Sequence, residues 1–234
     1  MYSHIRYLFF DLDHTLWDFE TNSNETLLEL FEEHGLAQFG LFDFEGFMAV
    51  YKRVNHGLWD QYNRGQVTKE RLRERRFKET FEQLGLEHKH HPEPFSDQYI
   101  FRCTEKPAVF PDAHKVLDQL KQKFGMSIIT NGFPESQSRK MAASRLDHYF
   151  DHIIISEEVG FAKPHPGIFE SALNRSGMKA GEVLMIGDNL FADVEGAEKA
   201  GIKALWFNPD KKETPEGIQG IHHLSELLIL PGLL

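Results

Sequence analysis

Short apolar runs recur along this chain and alternate with segments of helical periodicity. The runs are bounded by turn residues and lie at Tyr7–Phe10, Met126–Ile129, His152–Ile155, Val183–Ile186 and Lys203–Phe207. Between them, apolar residues repeat every three or four positions over Ala113–Phe124, Ser136–Leu146, Pro166–Ser176 and Asp193–Ala200. Buried strands that alternate with helices predict a doubly wound, Rossmann-like parallel sheet with helices on both faces. We therefore expect an α/β core.

Residues 17–103 interrupt this alternation because they contain no convincing strand. Their apolar residues form two helical stripes, one at Phe44, Phe47, Tyr51, Val54, Leu58 and Tyr62 and one at Leu72, Phe77, Phe81 and Leu84. Thr68 is placed as the N-cap of the second helix and Gly85 as its stop. We predict a helical cap domain over residues 17–103, inserted into a core formed by residues 1–16 and 104–234.

Composition restricts the partners and the compartment of the protein. A formal charge of −10 over 234 residues repels nucleic-acid polymers and anionic membranes. Cys103 is the sole cysteine, which excludes an intrachain disulfide and a cysteine-based zinc cluster. The apolar run before residue 11 is too short for a signal peptide or a membrane span. We expect a cytoplasmic protein without nucleic-acid or membrane partners, and the oligomeric state stays open.

Two aspartates directly follow the first predicted strand, in the motif Asp11-Leu12-Asp13-His14-Thr15. Side chains two residues apart on an extended strand point to the same side, so both carboxylates face one site. Close carboxylates repel each other and favour a cation or a shared proton. The alternative is a turn that leads into a helix N-cap.

Two further motifs follow later strands and offer groups that bind phosphate. Thr130-Asn131-Gly132 lies at the carboxyl end of the second strand, where open α/β sheets bind ligands. Its hydroxyl and successive N–H groups suit phosphate oxygens. Lys163 follows the third strand and offsets phosphate charge, and we expect it to be a partly exposed loop lysine that adds little to folding. Read alone, each is an ordinary turn or loop.

A second acidic pair follows the fourth strand, in Gly187-Asp188-Asn189-Leu190-Phe191-Ala192-Asp193. Asp188 at the strand end is placed to supply another carboxylate to a metal. Asp193 lies in the first turn of the next helix. There it either holds Asp188 or Lys163 in place or only stabilises the helix through a favourable interaction with the helix dipole.

These four motifs, in this order and each at a strand end, resemble those of the haloacid dehalogenase superfamily of phosphatases. The resemblance implies that Asp11 attacks phosphorus to form an aspartyl-phosphate. It implies that Asp13 protonates the leaving alkoxide and then takes a proton from the hydrolytic water. A Mg²⁺ ion is implied at the Asp11 carboxylate, the Asp13 backbone carbonyl and Asp188.

The same resemblance assigns the phosphate oxygens to Thr130, Asn131, Gly132 and Lys163. Asp193 is a supporting residue. Charge stabilisation by preorganised groups is usually the largest catalytic contribution, so the metal and Lys163 should matter as much as the nucleophile.

The insertion resembles the cap of the subfamily in which the cap lies between the first two motifs. Within it, DLDHTLWDFETNS, GLWDQYNRGQVTKERLRERRF and ITNGF are similar to the non-canonical pyrimidine 5′-nucleotidases. This implies a small phosphorylated substrate, namely a nucleoside 5′-monophosphate. Trp17, Trp59, Tyr62 and Arg76 are candidates for substrate contact. Hinge packing for Trp17, cap core for Tyr62 and a solvated helix face for Arg76 are the alternatives.

Other functions remain compatible with parts of the pattern. A phosphatase of a small sugar phosphate or phosphoglycolate, or a β-phosphoglucomutase-like phosphomutase, keeps all four motifs and differs in the cap. A 2-haloacid dehalogenase needs no metal and has no alkoxide to protonate, so Asp13 and Asp188 argue against it. A receiver-type phosphorylation switch carries its acidic pair before a separate phosphorylated aspartate, and the motif order here does not match that.

Overall fold

The computed structural model describes residues 2–233 and divides them into two compact units. One unit runs up to Phe19 and resumes at Pro107, and the other is Glu20–Lys106. The predicted cap began at Trp17 and ended at Cys103, whereas Trp17 lies in the first unit and forms a β-bridge with Val109. The predicted core segments also include Met1 and Leu234, which lie outside the described residues.

The first unit contains a parallel sheet of six strands within the described residues. They are β1 (Tyr7–Phe10), β2 (Gly125–Thr130), β3 (His152–Ile155), β4 (Val183–Gly187), β5 (Lys203–Phe207) and β6 (Gly220–Ile221). Their order across the sheet is β3-β2-β1-β4-β5-β6. The predicted α/β sheet is confirmed, with strand ends within one residue of prediction for the five predicted strands. The two-residue strand β6 was not predicted because it is too short to show a pattern.

The unit Glu20–Lys106, called the inserted unit below, is helical over the described residues. Its helices are α1 (Phe19–Glu33, which begins at the last residue before this unit), α2 (Phe44–Asn63), α3 (Lys69–Gln83) and α4 (Phe95–Thr104), with 3₁₀ turns at Leu36–Phe39 and His88–His90. The Thr68 side chain accepts a hydrogen bond from Arg71 N at 3.3 Å, as an N-cap does. The predicted stripes meet in an aromatic core, in which the Tyr51 and Phe77 rings stack with their centres 5.5 Å apart.

The helices of the first unit follow its strands. They are α5 (Ala113–Leu120), α6 (Pro134–Ala143), α7 (Ser156–Val159), α8 (Pro166–Ser176) and α9 (Gly196–Lys199), with a π-helix at Leu190–Glu195 and 3₁₀ turns at Asp147–Tyr149, Ala180–Glu182 and Leu224–Ile229. The helix predicted from Asp193 begins earlier, at Leu190, because the Asn189 side chain caps it by accepting from Ala192 N at 2.9 Å. Among the described residues, no helix is both long and apolar enough to span a bilayer.

Strand β1 determines where the site lies. All four of its residues are buried, and it pairs with β2 on one side and β4 on the other. On one side of β1 the sheet continues with β2 and β3, and on the other side it continues with β4 and β5. The point where the strand order reverses is where open α/β sheets bind ligands. Asp11 is fixed there by the bond from its N–H to Ile186 O at 2.9 Å.

Candidate active site

A buried lysine connects two of the predicted aspartates. Lys163 Nζ lies 2.5 Å from Asp11 Oδ1 and 2.6 Å from Asp193 Oδ1. All three residues are buried, with Lys163 only 2% exposed. The expectation of a partly exposed loop lysine was wrong, because two carboxylates draw the ammonium into the core. Removal of such a partner leaves buried charges unpaired.

Backbone contacts hold this ion pair in place. The Asn131 side chain donates to Lys163 O at 2.9 Å and accepts from Lys163 N at 2.8 Å. Its amide is thus bound to the peptide of the lysine, and it fixes the lysine loop against the end of β2. Asp193 Oδ2 accepts from Asn189 N at 3.0 Å. A Cβ atom at Gly187 would lie 2.3 Å from Asp193 Oδ2, so a glycine is required to admit this side chain.

The environment changes the acidity of these groups. Burial raises the pKa of Asp11 well above its ordinary value; Lys163 acts in the opposite direction, and the neighbouring carboxylates add to the rise. Burial alone would lower the pKa of Lys163, but the charges of Asp11 and Asp193 outweigh it and raise that pKa. The ammonium therefore stays charged at neutral pH.

Asp188 completes a carboxylate cluster at the same edge of the sheet. Oxygens of Asp11, Asp188 and Asp193 lie within 4.8 Å of one another. Thr15 Oγ1 donates to Asp188 Oδ1 at 3.4 Å, and the Trp206 indole N–H donates to the Asp188 backbone carbonyl at 2.7 Å. Burial, followed by the charge of Asp193, raises the pKa of Asp188 to about 8. Among the described residues, no ion pair joins Asp188 to a cationic side chain.

Asp13 points to a different set of partners. Lys140 Nζ lies 2.5 Å from its Oδ1, and Gln137 Nε2 donates to its Oδ2 at 2.7 Å. Burial alone would raise the pKa of Asp13, but the charge of Lys140 and these hydrogen bonds lower it overall. Lys140 Nζ also lies 4.5 Å from the centre of the Trp17 ring. The Asp13 side chain is thus held away from the carboxylate cluster.

The turn after β2 links this arrangement to the predicted phosphate-binding residues. Thr130 Oγ1 accepts from Gly132 N at 3.0 Å and from Gln137 Nε2 at 2.7 Å. No acceptor is found for the Thr130 hydroxyl proton among the described residues, so that proton is available to a ligand. A Cβ atom at Gly132 would lie 2.1 Å from Gln137 Nε2, so this glycine makes room for the glutamine.

Gln137 and Lys140 were not recognised from the sequence. A glutamine and a lysine in a helix are ordinarily read as solvent-facing, yet these two are 0% and 7% exposed. The available signal was their spacing. Residues three and four apart share a helix face, and Met141, a core residue, lies on the face that carries Gln137. The helix also starts within a few residues of a predicted phosphate-binding motif.

The predicted substrate-contacting residues have different surroundings. Trp17 is fully buried, which favours packing over substrate contact. Trp59 and Tyr62 are half-buried on α2, with their rings 5.5 Å apart. Arg76 is 5% exposed, and its guanidinium lies 4.9 Å from the centre of the Tyr99 ring. The solvated helix face considered for Arg76 is therefore wrong, because aromatic rings cover the side chain.

Comparison with known proteins agrees with this geometry. The model of the haloacid dehalogenase-like hydrolase family matches residues 5–201. The chain is 34% identical to the pyrimidine 5′-nucleotidase YjjG of Escherichia coli, over 95% of this chain and 97% of that protein. It is 31% identical to the pyrimidine 5′-nucleotidase PynA of Streptococcus pneumoniae, over 89% of this chain and 86% of that one.

A solved structure is similar over nearly its whole length. The hydrolase YfnB of Bacillus subtilis, solved with magnesium bound, superposes with a TM-score of 0.85 at 30% identity, covering 96% of this chain and 97% of that one. A doubly wound parallel sheet with a buried aspartate and lysine at its switch point, together with these similarities, places the chain among hydrolases of the Rossmann-like α/β type. This chain belongs to the haloacid dehalogenase-like hydrolases, a family whose enzymes generally use Mg²⁺.

The burial of Lys163 predicts a large effect on stability. Replacing it with Met leaves Asp11 and Asp193 without their shared cation, so the free energy of unfolding at pH 7 should fall by about 3–5 kcal/mol. Urea denaturation measures this. Lys199→Met is the control, since Lys199 is 59% exposed in a surface ion pair and should change stability by about 0–1 kcal/mol. Equal, small losses in both variants would contradict the structural role of Lys163.

Proposed function

We propose that this chain is a Mg²⁺-dependent phosphomonoester hydrolase that acts through a phosphorylated Asp11. The observation that carries the proposal is the surroundings of Asp11. Its carboxylate lies at the end of the central strand, 2.5 Å from Lys163 Nζ and within 4.8 Å of two other carboxylates. Phosphoryl transfer depends on positioning and on charge stabilisation, and this arrangement supports both.

The residues of the chain account for the chemical steps. Asp11 attacks phosphorus, and the bond from phosphorus to the leaving oxygen breaks while Asp13 supplies the proton that the alkoxide takes up. Asp13 then removes a proton from water, whose oxygen attacks phosphorus and releases phosphate and free Asp11. Lys163, the Thr130 hydroxyl and the backbone N–H of Asn131 bind the phosphate oxygens, while the Gly132 N–H holds the Thr130 hydroxyl in place at 3.0 Å.

The charge of the site supports a divalent cation. Four aspartates, at positions 11, 13, 188 and 193, face the two ammonium groups of Lys140 and Lys163, which leaves a formal deficit of two positive charges. The Asp11 and Asp188 carboxylates and the Asp13 backbone carbonyl are hard oxygen donors of the kind that Mg²⁺ prefers. When bound, the ion supplies charge stabilisation to the phosphoryl oxygens.

Metal binding should be visible as stabilisation. Added Mg²⁺ should raise the melting temperature of the metal-free protein, by an amount that corresponds to about 2.7 kcal/mol at a hundredfold excess over Kd. Asp188→Asn should remove this gain, because it deletes a ligand, while Asp13→Asn should keep it, because only its backbone carbonyl is a ligand. Differential scanning fluorimetry with Mg²⁺ and with chelator measures both. Loss of the gain in Asp13→Asn would contradict this ligand assignment.

The nucleophile can be tested directly. Asp11→Asn should abolish turnover of any phosphate ester and also the acid-stable labelling of the protein by ³²P, since an amide is a poor nucleophile. The exposed Asp147 provides the control variant Asp147→Asn, which should retain both activities. Near-normal hydrolysis by Asp11→Asn would exclude the aspartyl-phosphate route.

We propose further that the substrate is a pyrimidine nucleoside 5′-monophosphate. The four motifs bind only the phosphoryl group, so selectivity must come from residues elsewhere in the chain. The similarity to two pyrimidine 5′-nucleotidases over most of the chain supports this substrate class. Trp59 and Tyr62, which are half-buried, carry flat surfaces suited to a base, whereas aromatic rings cover Arg76 and leave it out of this proposal.

The substrate class gives a quantitative expectation. Stacking of one base contributes about 1–3 kcal/mol, so kcat/KM for pyrimidine nucleoside monophosphates should exceed that for sugar phosphates and phosphoglycolate by roughly 5- to 150-fold. Trp59→Ala should erase this advantage and leave hydrolysis of p-nitrophenyl phosphate intact, whereas Phe101→Ala, at a half-exposed aromatic on α4, should preserve the advantage. A higher kcat/KM for phosphoglycolate or a hexose phosphate would refute the nucleotidase assignment and leave the phosphatase assignment standing.

A further inference from the structure

Asp13 is held by two side chains that the four sequence motifs do not include. Lys140 and Gln137 lie three residues apart on α6 and contact different oxygens of the same carboxylate, at 2.5 and 2.7 Å. Gln137 is fully buried and Lys140 nearly so, and no other carboxylate pairs with Lys140 within the described part of the chain. Burial of a lysine costs free energy unless a specific partner repays it. Their common partner is Asp13.

The surroundings restrict both side chains to this position. The Lys140 ammonium lies over the Trp17 ring at 4.5 Å, and Trp17 is itself fully buried. The Gln137 amide also donates to Thr130 Oγ1 at 2.7 Å and occupies the space that Gly132 leaves open. Each donor therefore has a second contact, besides Asp13, that favours its present position. Lys140 and Gln137 are therefore held in place independently of Asp13, which suits them to orient its side chain.

The type of contact indicates which step the pair serves. Both groups present N–H donors to Asp13, one to each oxygen, which is the hydrogen bonding of a carboxylate. With a donor on each oxygen, the direction of the Asp13 carboxyl group is fixed, and removal of a proton from water requires an oxygen oriented in this way. We propose that Lys140 and Gln137 are positioning residues that hold the Asp13 carboxylate for hydrolysis of the aspartyl-phosphate on Asp11. This inference rests on the proposed function and extends it to the second half of the reaction.

Pre-steady-state kinetics separates the two halves. With p-nitrophenyl phosphate, formation of the aspartyl-phosphate releases nitrophenolate, a leaving group that needs little protonation. In Lys140→Met, we expect a nitrophenolate burst near the wild-type rate, followed by steady turnover slowed by about 10²-fold, the loss that misplacement of a catalytic group produces. The ³²P-labelled protein should accumulate to nearly one phosphate per active site in an acid quench. Lys140→Arg should restore much of the steady rate because it keeps the cation.

Controls distinguish positioning from folding and from phosphate binding. Arg139→Met replaces an exposed basic residue on the same helix and should match the wild type. Gln137→Leu should also accumulate phosphoprotein, and Lys140→Met should add no further loss in an Asp13→Asn background, since all three act at one carboxylate. Inhibition by inorganic phosphate should be unchanged in Lys140→Met.

The opposing results are equally specific. A reduced burst amplitude without accumulation of phosphoprotein would mean that Lys140 only stabilises the fold. A slowed burst with weaker inhibition by inorganic phosphate would make Lys140 a phosphate ligand and overturn the proposal. If the wild type itself shows neither hydrolysis nor labelling, the proposed function fails; if it shows both and the Lys140→Met variant does not accumulate phosphoprotein, only this inference fails.

Discussion

The rest of the site depends on the buried ion pairs that the Lys163 ammonium forms with two aspartates. It lies between Asp11, which follows β1, and Asp193, which lies in the π-helix after β4, and Asn131 at the end of β2 holds its peptide. Through its ammonium and its backbone, Lys163 therefore links segments that follow three different strands. Carboxylates placed this close would repel one another without it, because burial and mutual charge both disfavour ionisation.

Much of this architecture could be predicted because it depends on local patterns. The four residues of β1 are all apolar and all buried, and the acidic motif follows directly. The sequence therefore predicts both the strand and the place of the acidic residues at its end. The hydrogen-bond partners of each site side chain could not be predicted, because they come from segments that are distant in the sequence. The Asn131 side chain contacts the backbone of Lys163, since an amide both donates and accepts and so matches a peptide, and its predicted role in phosphate binding stays a prediction.

The inserted unit shows the same limit. Helical spacing correctly predicted that Phe47 and Tyr51 are core residues, since periodicity reports which face is buried. It could not predict the burial of Arg76, because a guanidinium becomes a core group only where aromatic rings cover it. Tyr99 and Phe77 provide these rings, and Tyr99 comes from α4, which is distant in the sequence. Such cation–π contacts depend on tertiary structure, not on a local pattern.

Asp11 and Asp13 show how far environment, and not residue type, determines chemistry. They lie two residues apart, yet burial and the neighbouring carboxylates raise the pKa of Asp11 despite the Lys163 ammonium, whereas the Lys140 ammonium and the Gln137 amide outweigh burial and lower the pKa of Asp13. Two identical side chains thus have different charged neighbours although they are close in the sequence. This difference depends on two glycines: Gly187 admits Asp193 beside Asp11, and Gly132 admits Gln137 beside Asp13. A side chain at either position would displace the neighbour that makes the two aspartates different.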